Sequence, residues 1–123
     1  MLAYATVGTR DLPRAGAFFD TLLAEIGAKR FMEEPGKFIA WGKGQDGAGL
    51  GVTVPFDGQA ATVGNGCMVA LQADSREQVD RLHARALELG GSDEGAPGPR
   101  SEGFYAAYFR DLDGNKFNAC YMG

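Results

Sequence analysis

The sequence predicts an α+β fold of two tandem βαβββ modules, each helix covering one face of its own strands. Three observations point there. Apolar residues recur at helical spacing in two places, strand-like runs surround each, and a shift of 64 residues superimposes the two patterns. The shift carries Tyr4 to Val7 onto Met68 to Leu71, Asp11 onto Ser75, and Gly27 onto Gly91. It also carries Ala15, Phe18 and Leu23 onto Val79, Leu82 and Leu87. The 123-residue chain thus reads as one domain, with module 1 over about 1–55, a linker over 56–66 and module 2 over about 67–123. One helix covers only one sheet face, which leaves the opposite faces to line a shared cleft.

Module 1 opens with a short strand over residues 2–8. Asp11 offers a helix N-cap, and Pro13 falls in the first turn, where its missing N–H costs little. Ala15, Phe18, Phe19, Leu22, Leu23 and Ile26 give the helix one apolar face, and Gly27 ends it. Strands follow over 29–34, 37–43 and 50–54, separated by turns at Pro35-Gly36 and 44–49. Gly42, Gly44 and Gly47 spell a GxGxxG pattern, but no helix follows to hold a pyrophosphate, so it reads as a glycine-rich turn.

Module 2 repeats the order. Residues 67–73 are strand-like, and Ser75 with Gln78 forms a capping-box signature for a helix running to about Leu89. Gly90-Gly91 stops it, and the turn-rich stretch 92–101 holds one short strand. Residues 104–110 and 116–121 form a terminal hairpin. A type I turn at 111–114 with Gly114 left-handed pairs Arg110 with Lys116 and Tyr108 with Asn118.

Composition narrows the function classes. A net charge of −4 argues against nucleic acid, which needs clustered Lys and Arg. No stretch approaches the roughly 20 apolar residues of a membrane span. The start lacks the basic and apolar regions of a signal peptide, so a cytoplasmic location is expected. Cys67 and Cys120 are too few for a disulfide framework and read as reduced thiols.

The opening Tyr4-Ala5-Thr6-Val7-Gly8-Thr9-Arg10-Asp11-Leu12, with Phe18-Phe19 and Leu23, resembles the first strand and helix of the vicinal-oxygen-chelate superfamily. That superfamily includes glyoxalases, bleomycin-resistance proteins and extradiol dioxygenases. The linker from Pro55-Phe56 to Asn65-Gly66 is similar to that of small bacterial glyoxalase-like members. Ala96-Pro97-Gly98-Pro99-Arg100 and Arg110-Asp111-Leu112-Asp113-Gly114-Asn115-Lys116 resemble its closing segments, with Leu112 where the family usually has Pro. The resemblance implies a curved mixed sheet around a shared cleft, and a homodimer.

Members with a metal place His on the first strand of each module and Glu near the end of the last. Carried onto this chain, those positions hold Tyr4, Met68, Asn118 and, by the 64-residue shift, Val54. A thioether is soft, an amide is weak and Val has no donor, so no metal or other cofactor is expected. Strand alternation then makes Tyr4, Met68, Tyr108, Asn118 and Cys120 cleft candidates, a neutral and aromatic surface. Tyr105, Phe109, Phe117 and Tyr121 should point toward the helices.

Each candidate has a plainer role beside the functional one. Tyr4 and Tyr108 either act on a ligand or fill space the metal left. Arg100 is either a solvated loop residue or closes over an anionic substrate. Trp41, Phe56 and Phe38 are core or cleft wall. Cys120 without a neighbouring histidine suits a small buried filler, and His83, the only histidine, suits a structural role.

Two functions follow. The favoured one is a metal-independent binder of a small organic molecule, similar to the bleomycin-resistance branch. The alternative is an enzyme of lyase, isomerase or dioxygenase type. It would act metal-free through Tyr4 or Tyr108 with Asn118 or Arg100, or hold a metal through Glu33, Glu34, Glu102 or Cys120.

Overall fold

A computed structural model describes residues 1–44 and 47–123. The glycine-rich turn therefore falls partly outside the described residues, since Gln45 and Asp46 lie within it. The chain forms two compact units, Met1–Val63 and Gly64–Gly123.

The first unit holds β1 (Tyr4–Gly8), α1 (Leu12–Ala24), β2 (Lys29–Glu34), β3 (Phe38–Gly42) and β4 (Gly49–Thr53). The second holds β5 (Val69–Gln72), α2 (Arg76–Glu88), β6 (Ser92–Ser101), β7 (Phe104–Arg110) and β8 (Lys116–Met122). The strands make two four-stranded mixed sheets, in the orders β1-β4-β3-β2 and β5-β8-β7-β6. Each central pair joins one parallel and one antiparallel ladder. The common strand order and the helix between first and second strand are the βαβββ repeat that the sequence predicts.

The helices obey the 64-residue shift to the residue, Leu12–Ala24 matching Arg76–Glu88. Asp11 caps α1 by accepting from Arg14 N–H at 3.1 Å, and Ser75 caps α2 by accepting from Gln78 N–H at 3.1 Å. Gln78 reaches back to Asp74 N–H at 2.7 Å, one residue earlier than a standard capping box. Glycine behaves differently at the two helix ends. Gly27 is left-handed, with φ 77°, whereas in module 2 that conformation falls on Gly90, with φ 102°. Gly91 is glycine for space, because a β-carbon there would lie 2.6 Å from Arg110 O and 2.9 Å from Ala86 O.

The sheets pack their apolar faces on the helices. In module 1, Trp41 is buried against Phe19, their rings 5.6 Å apart, and its indole N–H donates to Asp20 Oδ1 at 2.9 Å. Arg30 clamps the same carboxylate at 2.7 and 2.8 Å, which holds Asp20 below the usual carboxylate range. In module 2, Phe109 and Phe117 stack at 5.5 Å, both fully buried, and Tyr105 donates to Asp80 on α2 at 2.7 Å. These contacts identify the helix-facing side of each sheet, and alternation assigns the other.

One segment departs from the sequence expectation. Residues 92–101 form not a short strand but a ten-residue one, although Gly95, Pro97, Gly98 and Pro99 all disfavour strands. β6 tolerates them because it is an edge strand, and its pairing with β7 shifts register three times. At the edge of the module 1 sheet, β2 carries Lys29, Arg30, Glu33 and Glu34, and these charges guard it against further strand pairing.

Candidate functional site

The hairpin turn between β7 and β8 sets the geometry of the module 2 face. Asp111 Oδ1 accepts from the N–H groups of Asp113 and Asn115 at 2.9 and 2.8 Å, and Oδ2 accepts from Asn115 Nδ2 at 2.9 Å. Burial pushes the Asp111 carboxyl up, and the Asn115 hydrogen bonds oppose that rise. Gly114, with φ 88°, donates to Asp111 O at 3.1 Å. The resulting register pairs Arg110 with Lys116, Tyr108 with Asn118 and Ala106 with Cys120, as the turn chemistry predicts.

Tyr108, Asn118 and Cys120 therefore share the side of the sheet away from α2. Tyr108 is half-buried. Arg100 lies over its ring at 5.4 Å, and Lys116 at 5.6 Å. Sequence reasoning placed Lys116 opposite Arg110 but did not count it in the site. The signal was available, since Lys116 stands two residues before Asn118 and so projects from the same face. The expected neutral surface is corrected by these two cations. Arg110, on the same side, is compensated by Glu94 at 3.1 Å.

Arg100 is not a freely solvated loop side chain. Its Nη1 donates to Gly98 O at 2.9 Å and its Nη2 to Ala96 O at 2.6 Å, which folds the guanidinium back along β6. Glycines make the room. A β-carbon on Gly95 would sit 3.0 Å from Tyr108 Cδ2 and 3.3 Å from Arg100 Nη2, and one on Gly98 would sit 3.3 Å from Arg100 Nη1.

Cys120 is buried, and burial pushes its thiol up, so little thiolate forms near neutral pH. Iodoacetamide should consequently alkylate the exposed Cys67 much faster than Cys120, as peptide mass mapping would show. Equal rates would mean that Cys120 is open to solvent. His83 is buried on α2 with Nε2 2.9 Å from Asp93, on the helix side of the sheet.

Module 1 presents a different surface. Tyr4 and Met32 are more than half exposed, and Phe31 lies over Gly42 and Gly49, whose added β-carbons would meet its ring at 3.1 and 3.3 Å. Phe38 covers Gly51 even more closely, its Cε2 lying 2.6 Å from where a β-carbon would be. Trp41 does not belong to this face, because its indole points to α1 and Asp20. Phe56 stands fully exposed in the linker, and Met68 lies just before β5, partly exposed.

Strand pairing also corrects the fourth metal-ligand position. Thr6 and Ala70, related by the 64-residue shift, pair with Gly51 and Asn118 respectively. The counterpart of Asn118 is thus Gly51, not Val54, because module 2 carries three more residues between its helix and last strand. Taken singly, Gly51 has no side-chain donor, Met68 only a soft thioether and Asn118 only a weak neutral amide, so these positions suit a divalent first-row metal poorly. Two of the alternative ligands are already paired with cations. Glu33 is bound to Arg30 and Glu34 to Lys37, and among the described residues no three His, Cys, Asp or Glu side chains gather to hold an ion. Among the described residues, no helix is long and apolar enough to cross a membrane.

Comparison with known proteins agrees with this architecture. The family model for the glyoxalase/bleomycin resistance protein/dioxygenase superfamily matches residues 2–119. A crystal structure of a glyoxalase/bleomycin resistance protein from Albidiferax ferrireducens is 35% identical, covers 100% of this chain and 99% of its own, and has a TM-score of 0.91. A lactoylglutathione lyase from Agrobacterium tumefaciens is 21% identical over 98% of this chain and 92% of its own, with a TM-score of 0.73. The fosfomycin resistance protein FosX from Mesorhizobium loti is 20% identical over 100% of this chain and 92% of its own, with a TM-score of 0.69. These last two show the fold alone, and no curated protein matches the sequence. The chain belongs to the glyoxalase/bleomycin resistance protein/dioxygenase superfamily.

Proposed function

We propose that this protein is a metal-free binder of a small organic molecule, acting as a cytoplasmic homodimer. The observation that carries the reading is the Tyr108 face, where a half-buried phenol stands between polar and cationic groups opposite a buried amide, Asn118. Such a face can orient a ligand by hydrogen bonds and charge. It is poorly equipped for proton transfer at neutral pH, because the only histidine lies on the helix side and Glu94 is committed to Arg110.

The donor set at the four inherited ligand positions supports a metal-free protein. After incubation with zinc, nickel, manganese or ferrous iron and desalting, elemental analysis should find far less than one metal per chain. A stoichiometric metal would overturn the reading. Tyr108→Phe then separates the two functional classes, since it keeps the ring on which both cations rest and removes only the hydroxyl. A binder should keep ligand affinity within about threefold, the worth of one exposed hydrogen bond. Measurable turnover that Tyr108→Phe abolishes would instead make the protein an enzyme with that phenol as acid.

A further inference from the structure

We infer that the ligand carries an oxyanion (a carboxylate, phosphonate or phosphate group) received by Arg100 and Lys116 beside Asn118 on the helix-free face of module 2. This rests on the binding function proposed above and adds the ligand's charge to it.

Acidic residues outnumber basic ones, 16 to 12, and four of the bases are paired with acids. Arg30 has Asp20 and Glu33, Lys37 has Glu34, Arg85 has Glu88 and Arg110 has Glu94. Arg100 and Lys116 share one tyrosine ring, yet neither has a carboxylate partner among the described residues. Each is a cation without a counter-charge, and an anionic ligand group would supply one.

Arg100 is also held in place before any ligand arrives. Its two carbonyl contacts and the Tyr108 ring fix the guanidinium, while Gly95 and Gly98 leave the space it occupies. A guanidinium has five N–H donors, so the two used on carbonyls leave others for a ligand oxygen. A pre-fixed side chain loses little rotamer entropy on binding. Lys116 brings an ammonium with no hydrogen bond to protein among the described residues, available as a second contact.

Asn118 supplies an independent sign of a ligand. It is only 1% exposed, and its amide makes a single long hydrogen bond, Nδ2 to Ala107 O at 3.5 Å. Its carbonyl oxygen has no partner among the described residues. Its side chain stands on the face it shares with Tyr108. A buried amide with spare donor and acceptor capacity beside two uncompensated cations fits a ligand with an anionic group and an adjoining N–H or O–H.

The test uses three aromatic probes of similar size and different charge, namely benzoate, benzamide and benzylammonium. Each is titrated into the full-length protein while the backbone amides of Tyr108 and Asn118 are followed by NMR. Benzoate should give saturable shifts at both amides, weakened by added salt. The double variant Arg100→Gln, Lys116→Gln should weaken it at least tenfold, and Lys116→Arg should retain it. Well-dispersed spectra of each variant establish that it is folded. Benzamide or benzylammonium binding there as tightly as benzoate would overturn the oxyanion assignment and leave the small-molecule reading standing. So would benzoate affinity unchanged in the double variant. No saturable binding by any of the three would overturn both.

Discussion

Gly91→Ala should lower the unfolding free energy by about 3 kcal/mol, a large effect for one added methyl group. The added carbon would press on Arg110 O at 2.6 Å and Ala86 O at 2.9 Å. Both are backbone atoms, one in α2 and one in β7, so no side-chain rotation relieves the clash. Relief requires moving the helix end away from the strand that carries Tyr108. Urea denaturation followed by circular dichroism measures the loss. Gly27→Ala is the matched control, since Gly27 is left-handed with nothing within 4 Å of an added β-carbon. It should cost only about 1 kcal/mol, the penalty of the backbone conformation alone. Equal effects at the two sites would refute the assignment of Gly91 to packing.

Trp41→Ala should cost about 3–5 kcal/mol, the usual range for truncating a fully buried large aromatic. The loss has two parts. A cavity opens beside Phe19, and Asp20 loses the indole N–H that helps to hold it. The experiment also decides where Trp41 belongs. A residue lining a ligand surface would lose affinity with little change in the denaturation midpoint, whereas a core residue loses the midpoint first. Trp41→Phe, which refills most of the volume, should recover more than half of the stability.

Local chemistry made most of the architecture legible. Helix ends were readable because Asp11 and Ser75 are strong caps, and the last register because Asp111 and Gly114 allow one tight turn. What escaped were features that depend on neighbours far along the chain. β6 looks like a loop in isolation, because its glycines and prolines reveal nothing of the edge position that tolerates them. Trp41 could not be assigned to a face from β3 alone, since only Asp20 on α1 settles the matter. The site showed the same limit. Alternation put Tyr108 beside Asn118, but the fold-back of Arg100 depends on two empty β-carbon positions, which a sequence displays only as glycines.

A fixed 64-residue shift failed between helix and last strand for a related reason. Insertions preserve pairing within each sheet while displacing numbers, so the ladder, not the count, identifies Gly51 as Asn118's counterpart.

Gly51 and Phe38 constrain one another. With Phe38 seated where a side chain at 51 would begin, the two positions are no longer independent choices. A glutamate or histidine arriving at 51 meets an aromatic ring before it meets an ion. The ring must first turn aside or give way to something smaller, and that step alone would uncover Gly51 with no gain in chemistry. Positions 51 and 38 are therefore coupled, and a larger residue at one calls for a smaller residue at the other.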